Sequence, residues 1–254
     1  MSEVWDICKG FEQISPIQGL AYRLVEDQHQ VATVGYSESM AEQKVLEDII
    51  EESKPHYQFN APLSGMHYLL KTPFRYPPLK YGSRFGSRDR RGIFYGGCSV
   101  ESCLVESAFY RMIHWDAMNG CMRKSSIKSQ HTLLKVSYNT EKGISLQKEP
   151  FSHHENVLTD QNNYSITQQL GSTMRDSGVE AVEYTSARDP RKGICVALFS
   201  PEAFGDRMPG SLEKWICEVG SGGVSFKSIA DNQVHMFPVT TFLLKDGSLP
   251  YPAD

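Results

Sequence analysis

Residues 72–111 read TPFRYPPLKYGSRFGSRDRRGIFYGGCSVESCLVESAFYR, and the interpretation of the whole chain starts from this stretch. Its first half contains prolines and glycines at short intervals, which favours rigid extended segments and tight turns over a helix. Between Lys71 and Arg91 the chain holds seven basic residues and one acid, Asp89. Because guanidinium groups bind phosphate oxygens in a bidentate manner, arginines among glycines indicate a site for an anion such as a pyrophosphate. A solvated basic loop, or arginines paired with core carboxylates, is the other interpretation of these residues.

The second half of the stretch predicts a short buried strand at Ile93–Gly96 and then a helix from about Ser99 to Trp115. Ser99 suits the N-cap position, because its hydroxyl oxygen can accept a hydrogen bond from an amide of the first turn. One stripe of this helix is apolar and is expected to face the core; it consists of Leu104, Ala108, Met112 and Trp115.

Glu106 lies nearly opposite that stripe, yet its neighbours on the helix surface are also mostly apolar. Burying an ionised carboxylate costs several kcal/mol unless the group is paired or hydrogen-bonded, so this position needs a reason. The residue is either a structural partner of one of the arginines or a catalytic carboxylate that faces a pocket. Its helical neighbours are Cys103, Phe109, Tyr110 and Ile113.

These motifs resemble the RES domain family, which supplies the toxins of bacterial toxin–antitoxin pairs. The family pattern has a glycine-rich turn with arginine, an aromatic strand ending in tyrosine, and a helix whose glutamate follows that tyrosine by eleven positions. The pattern also includes an earlier arginine, a later Tyr-x-Ser-Ala-Arg sequence and an apolar strand. The resemblance covers roughly residues 65–205. The matching residues are Gly82–Gly86 with Arg84, Tyr95, Glu106, Tyr184–Arg188 with Ser186, Gly193–Phe199, and Arg75 within Pro73–Tyr76.

The resemblance implies an α+β fold, with a compact mixed sheet core and flanking helices similar to the ADP-ribosyltransferase fold, after a helical N-terminal extension. It also implies cleavage of the nicotinamide–ribose bond of NAD+. The acceptor would be inorganic phosphate, giving nicotinamide and ADP-ribose-1''-phosphate, or water. NAD+ is then a substrate and phosphate a co-substrate, and neither a cofactor nor a metal is expected.

Under this interpretation Glu106 stabilises the positive charge that develops on the ribose as the bond breaks. Tyr95 stacks on the cationic nicotinamide or orients it. The other predicted contacts are Arg75 and Arg84 to phosphate oxygens, Ser186 to the ribose or the carboxamide, and Tyr76 to the substrate beside Arg75.

Three further functions stay open at the level of sequence. A mono-ADP-ribosyltransferase would break the same bond and transfer ADP-ribose to a protein side chain, so the sequence does not separate these acceptors. A non-catalytic NAD- or nucleotide-binding regulatory protein would keep the fold, although every matched position is intact. A nucleic-acid-binding module would use the basic loop, which the net charge of −4 disfavours.

For a toxin, the resemblance implies a partner antitoxin with an Xre-like helix-turn-helix region whose end plugs the active site; a homo-oligomer is also left open. Six cysteines without a CxxC pair or zinc spacing indicate reduced thiols and a cytoplasmic protein. The first residues lack a signal-peptide pattern, and no run approaches the length of a membrane helix. We therefore expect neither membrane association nor direct nucleic-acid binding.

The chain is expected to divide into an N-terminal strand and helix extension, residues 1–60, and a RES-type catalytic domain, residues 61–254. Residues 1–18 are predicted to be loosely structured. Elsewhere the patterns predict strands at Leu20–Val25, Gly65–Lys71, Thr132–Tyr138, Val179–Tyr184 and Gly193–Phe199, and a pair of strands within Val234–Leu244. They also predict helices from Ser37 or Ser39 to about Ser53 and at Tyr164–Asp176, and a loop at Met118–Gln130.

Overall fold

The computed structural model of the chain describes residues 2–27, 39–54, 63, 65–76, 81–118 and 125–251. Within these ranges the fold is α+β, with a mixed sheet of eight strands and flanking helices, which confirms the predicted class. The strands are β1 (Ser15–Glu26), β2 (Phe94–Gly97), β3 (Ser126–Ser145), β4 (Ala181–Thr185), β5 (Ile194–Leu198), β6 (Ser211–Gly220), β7 (Gly223–Ser228) and β8 (Val234–Pro238). The helices are α1 (Glu3–Ile7), α2 (Met40–Ser53), α3 (Tyr68–Lys71), α4 (Val100–Ala117), α5 (Glu155–Leu158) and α6 (Ser165–Asp176). None of the described helices has the length and apolarity needed to cross a membrane.

Part of the sheet closes on itself. The strand order is β1-β2-β5-β4-β3-β6-β7-β8, and β1 also pairs with β3, so five strands form a ring. Strands β3 and β4 are parallel, and the other neighbouring pairs are antiparallel. Closure removes open edges from these five strands, which would otherwise expose unpaired backbone groups. Strand β1, from the predicted N-terminal extension, is therefore a member of the same sheet as the later strands.

Three apolar clusters hold the helices and the sheet together. The first takes buried residues from all five ring strands: Ala21, Phe94, Leu134, Ala181 and Val196. The second packs α4 against β6 and β7, and the third packs α6 and the N-terminal segment against the opposite side of β4 and β5. The ring and α4 therefore share a rigid frame, which fixes where the side chains between them lie.

Helix α4, which carries Glu106, forms where the sequence predicts it. Ser99 has an extended backbone, and its hydroxyl oxygen accepts a hydrogen bond from the amide of Ser102 at 3.1 Å, as an N-cap does. The predicted apolar stripe is buried through Leu104, Ala108 and Met112. Helix α6 also agrees with its prediction, and Gly178 after it has a φ of +82°, which is typical of a helix stop.

The prediction of loose structure for residues 1–18 is wrong. Helix α1 and a 3₁₀ turn at Gly10–Gln13 precede β1, which already begins at Ser15. The reason is Trp5, whose side chain is 1% exposed and whose ring lies 6.5 Å from that of Phe151. A helix of five residues is too short to show a periodic pattern, so its order comes from this tertiary contact.

Three further element predictions are wrong. Gly65–Lys71 is not a strand, because Tyr68–Lys71 forms α3, with the His67 ring accepting a hydrogen bond from the amide of Leu69. The end of the predicted loop Met118–Gln130 belongs to β3, because residues from Ser126 onward pair with β6. The predicted strand pair within Val234–Leu244 is one strand, β8, followed by a 3₁₀ turn at Val239–Thr241. Strands β6 and β7 are absent from the sequence-based predictions. Of the two candidate caps of α2, Ser39 bonds the amide of Glu42, and Ser37 lies outside the described residues.

Candidate active site

A cavity of about 570 Å³ opens between β1, β2, α4 and the loops after α3 and α5. This volume is within the usual range of small-molecule sites. Among the described residues of its lining, Glu106 is the one carboxylate. The remaining charges are those of Arg23, Arg84 and Arg188, and the aromatic lining consists of Tyr22, Tyr76, Tyr81, Tyr95, Tyr110, Tyr164 and Tyr184.

Glu106 is held by Ser186, which lies in the turn between β4 and β5. The Ser186 hydroxyl donates to Glu106 Oε1 at 2.5 Å. The same hydroxyl oxygen accepts the backbone amides of Arg188 and Asp189 at 3.1 and 3.0 Å. Because two amides occupy its lone pairs, the single hydroxyl hydrogen is directed to the carboxylate. The structure thus gives Ser186 a positioning contact with Glu106, and its expected bond to ribose or carboxamide stays a prediction.

Tyr95 lines the cavity with its hydroxyl anchored in the predicted glycine-rich turn. The hydroxyl accepts the amide of Phe85 at 3.1 Å and shares a hydrogen bond with Ser83 Oγ at 2.9 Å. Gly82 has a φ of +73°, and a Cβ there would lie 2.4 Å from the carbonyl oxygen of Gly86, so the turn requires glycine. Burial raises the pKa of Tyr95. The phenol is therefore neutral and fixed, and its ring is the part that a ligand can contact.

Arg84 also lies in the cavity wall, as predicted for a phosphate-binding residue, and is 8% exposed. Its Nη1 donates to the carbonyl oxygens of Leu158 and Asp160 at 3.0 and 3.1 Å. Its Cζ lies 4.8 Å from the ring centroid of Tyr164. Part of this guanidinium is therefore committed to the loop after α5, and its charge remains next to the cavity.

Arg75 and Tyr76 separate in the structure. Tyr76 lines the cavity, whereas Arg75 does not and forms an ion pair with Glu51 of α2 at 2.5 Å. Its Nη2 also lies 3.5 Å from the carbonyl oxygen of Glu51. Because the Glu51 side chain is 56% exposed, this ion pair is not the pairing with a core carboxylate that the sequence allowed as an alternative. It also does not support the predicted contact of Arg75 with phosphate.

Arg23 of β1 was missed by sequence reasoning and occupies the cavity. Its Nη1 lies 3.5 Å from the carbonyl oxygen of Tyr95, and its Cζ lies 5.1 Å from the ring centroid of Phe94. No carboxylate within the described ranges forms an ion pair with it, and burial lowers its pKa from the ordinary value. The signal available in the sequence was a lone charge inside the apolar strand Leu20–Val25. The sequence does not show that this strand pairs with β2, so it assigned no function to Arg23.

The arrangement suits an anionic ligand that also carries aromatic rings. With three guanidinium groups and one carboxylate, the described lining has an excess of positive formal charge. Burial also raises the pKa of the Cys103 thiol to about 12, so this cavity residue is not a thiolate nucleophile. The described residues contain no group of His, Cys, Asp and Glu side chains that could hold a metal ion.

The comparison with protein-family models gives a match to the RES domain over residues 59–218, more than half of the chain. The matched range contains Arg84, Tyr95, Glu106 and Ser186, and it does not include Arg23. The comparison with curated proteins gives no match.

Proposed function

The chain belongs to the RES domain family, whose enzymes act on NAD, and on this basis we propose that it cleaves the nicotinamide–ribose bond of NAD+. The observation that carries the proposal is the position of Glu106, a carboxylate fixed by Ser186 in a cavity whose other charges in the described lining are arginines. A lone oriented anion among cations is what a reaction that develops positive charge on its substrate requires.

The chemistry assigned to Glu106 is electrostatic. When the bond between the ribose anomeric carbon and the pyridinium nitrogen breaks, its electron pair goes to the nitrogen and neutral nicotinamide leaves. The positive charge thereby moves from the pyridinium ring to the ribose, which becomes oxocarbenium-like, and a carboxylate beneath the ribose stabilises it at a position where the ground state carries none. Ser186 keeps one carboxylate oxygen in place, which lowers the reorganisation needed when that charge appears.

Two of the three cavity arginines, Arg23 and Arg84, are assigned to the pyrophosphate of NAD+. The pyrophosphate carries two negative charges, and guanidinium groups bind its oxygens with directed N–H bonds. Arg23 retains most of its donors, because its one described hydrogen bond is the 3.5 Å contact with Tyr95. We therefore assign to Arg23 the phosphate contact that the sequence assigned to Arg75, with Arg84 as the second phosphate ligand.

The tyrosines supply contacts for the two ring systems of the substrate. Because the Tyr95 hydroxyl is bound by Ser83 and Phe85, its ring is assigned to the nicotinamide, as predicted. The acceptor is then phosphate, whose oxygen attacks the anomeric carbon to give ADP-ribose-1''-phosphate, or water, which gives ADP-ribose and a proton. The expected similarity of the core to ADP-ribosyltransferases belongs to the same proposal.

The test is to incubate the purified protein with NAD+, with and without inorganic phosphate, and to identify the products by mass spectrometry. We expect nicotinamide in both reactions if water is an acceptor, and only with phosphate if phosphorolysis is obligatory. Glu106→Gln keeps the side-chain shape and removes the charge, and it should lower the rate by about 10²–10³-fold. The matched control is Glu101→Gln on the same helix, since Glu101 pairs with Arg191 and His235 outside the cavity and its substitution should leave the rate unchanged.

Full activity of Glu106→Gln would reject the role of the carboxylate without rejecting NAD+ cleavage. Intact NAD+ in all reactions, with NAD+ binding still detected by calorimetry, would reject cleavage by the isolated protein. A labelled NAD+ assay with cell lysate would then distinguish transfer of ADP-ribose to a protein from a purely regulatory binding role.

Membership in this family also supports a biological proposal. The protein would act in the cytoplasm as the toxin of a pair, with an antitoxin that carries an Xre-like helix-turn-helix region. Induced expression should deplete cellular NAD+ and stop growth, and expression of Glu106→Gln should do neither. Growth arrest by both forms would separate toxicity from NAD+ consumption.

A further inference from the structure

Arg188, in the turn after β4, is 4% exposed and lies in the cavity lining, where it is connected to Glu106 through Ser186 and to Arg84 through Tyr164. Its guanidinium stacks on Phe109, with Cζ 3.7 Å from the ring centroid. Its Nη2 donates to the carbonyl oxygen of Gln161 and to the hydroxyl of Tyr164, both at 2.8 Å. Its Nη1 is buried without a hydrogen-bond partner, and no carboxylate in the described ranges forms an ion pair with it. A buried cation with an unused donor costs free energy, so its position calls for a compensating role.

The side chain of Arg188 leads to Arg84 through Tyr164. The Tyr164 hydroxyl is held by Arg188, and Arg84 lies over the Tyr164 ring at 4.8 Å. Arg84 in turn bonds the carbonyl oxygens of Leu158 and Asp160. The loop of residues 158–164 is thus bound at both ends by arginines, and it keeps Tyr164 and Arg84 stacked at the cavity wall.

The main chain of Arg188 leads to Glu106 through Ser186. The Arg188 amide donates to Ser186 Oγ at 3.1 Å, and that hydroxyl donates to Glu106 at 2.5 Å. Phe109, on which the guanidinium stacks, lies one helical turn after Glu106 on α4. Arg188 therefore supports the Glu106 carboxylate through its backbone amide, and it supports Arg84 through its side chain.

We propose that Arg188 is a positioning residue that fixes the distance between the Glu106 carboxylate and the Arg84 guanidinium. It acts through Tyr164 and the 158–164 loop. The identity of the ligand as NAD+ rests on the proposed function. Its consequence is a division of effects: loss of the side chain displaces Arg84 and weakens substrate binding, whereas Glu106 keeps its Ser186 bond because the Arg188 amide remains.

The variants are Arg188→Met, Arg188→Lys, Tyr164→Phe and the double variant Arg188→Met/Tyr164→Phe. Arg188→Met should raise KM for NAD+ about ten-fold with a small change in kcat, and Tyr164→Phe, which keeps the ring and the fold, should raise it less. The double variant should have a KM no higher than that of Arg188→Met, because both substitutions remove the same hydrogen bond between Arg188 and Tyr164. Arg188→Lys should recover part of the loss. The matched control is Arg191→Met, whose side chain is 60% exposed and should leave KM unchanged.

Hydrogen exchange of residues 158–164, measured without ligand, is the second readout. Arg188→Met should accelerate exchange in this loop relative to the unmodified protein and to Arg191→Met. Unchanged exchange, or a fall in kcat with unchanged KM, would overturn the proposal. An additive double variant would also overturn it, since the two residues would then act separately. If the unmodified protein neither binds nor consumes NAD+, the proposed function fails. Hydrogen exchange of residues 158–164 still decides whether Arg188 holds this loop in place.

Discussion

Two groups of arginines in this protein differ in what balances their charge. Outside the cavity, the arginines that the structure describes within 3.4 Å of a carboxylate include Arg75, Arg90, Arg111 and Arg191. The cavity group consists of Arg23, Arg84 and Arg188. Its members contact carbonyl oxygens, a tyrosine hydroxyl and aromatic rings, and the described residues provide them with no carboxylate partner.

The difference between the two groups shows which arginines have a positive charge available for a ligand. The charge of a paired arginine is largely neutralised by its carboxylate, and solvent screens the exposed part of the pair. A buried arginine cannot lose its proton, so its charge persists unless an anion arrives. His131 shows the other outcome for a buried base, because burial lowers its pKa to about 4 and leaves the ring neutral. The described cavity lining thus retains an excess of positive formal charge that the carboxylate-paired arginines do not.

The comparison is tested most strongly by removing one arginine from each group. Arg23→Met should weaken NAD+ binding about 100-fold, because it removes charged hydrogen bonds to the pyrophosphate. Arg75→Met, the matched change outside the cavity, should alter NAD+ affinity less than two-fold by the same calorimetric titration. Equal losses would mean that pairing with Glu51 does not exclude Arg75 from the site.

The neutral histidine gives a pH-dependent test of the burial argument. The unfolded chain protonates His131 near pH 6.5, whereas the folded chain does so near pH 4. Between these values the unfolded state binds more protons, so stability should fall as pH falls from about 6.5 to 4, by on the order of 2 kcal/mol. When the free energy of unfolding is measured with urea at several pH values in this range, it should depend less steeply on pH for His131→Asn than for the unmodified protein. An unchanged slope would place the titration elsewhere in the chain.

Removing Ser186 tests what holds the one carboxylate of the described lining. Ser186→Ala leaves Glu106 without its 2.5 Å hydrogen bond, and kcat should fall about ten-fold with little change in KM. A direct bond from Ser186 to the ribose or carboxamide, as the sequence suggested, would raise KM instead. Steady-state kinetics with NAD+ separates the two roles, and Ser107→Ala, a serine of the same cavity bonded to the Cys103 carbonyl, serves as the control.

The smallest effect is expected for a surface pair. Arg90 and Asp176 form two hydrogen bonds at 2.8 and 2.9 Å on side chains that are 36% and 60% exposed. Arg90→Met should therefore change the free energy of unfolding by less than about 1 kcal/mol and leave NAD+ turnover unaltered. A larger loss of turnover would extend the functional arginines beyond the cavity group.

Local patterns in the sequence were sufficient for the elements that carry the site. The Ser99 cap, the apolar stripe of α4 and the helix stop at Gly178 involve residues only a few positions apart, and all three predictions are confirmed. The segment of Trp5 and the strands β6 and β7 were not found, because their order depends on packing and pairing with distant residues.

By itself, the sequence determined the RES domain family, the α+β class, and the presence on a helix of a carboxylate, Glu106, whose neighbours on the helix surface are mostly apolar. Only the tertiary structure decided which arginines share a cavity with that carboxylate. Tyr22 of β1 pairs with Gly97 of β2, which carries Arg23 to the main chain of Tyr95, whereas Arg75 is bound to Glu51. The physical reason is that periodicity and capping act over a few residues, while charge partners are chosen by strand register and packing across the whole chain.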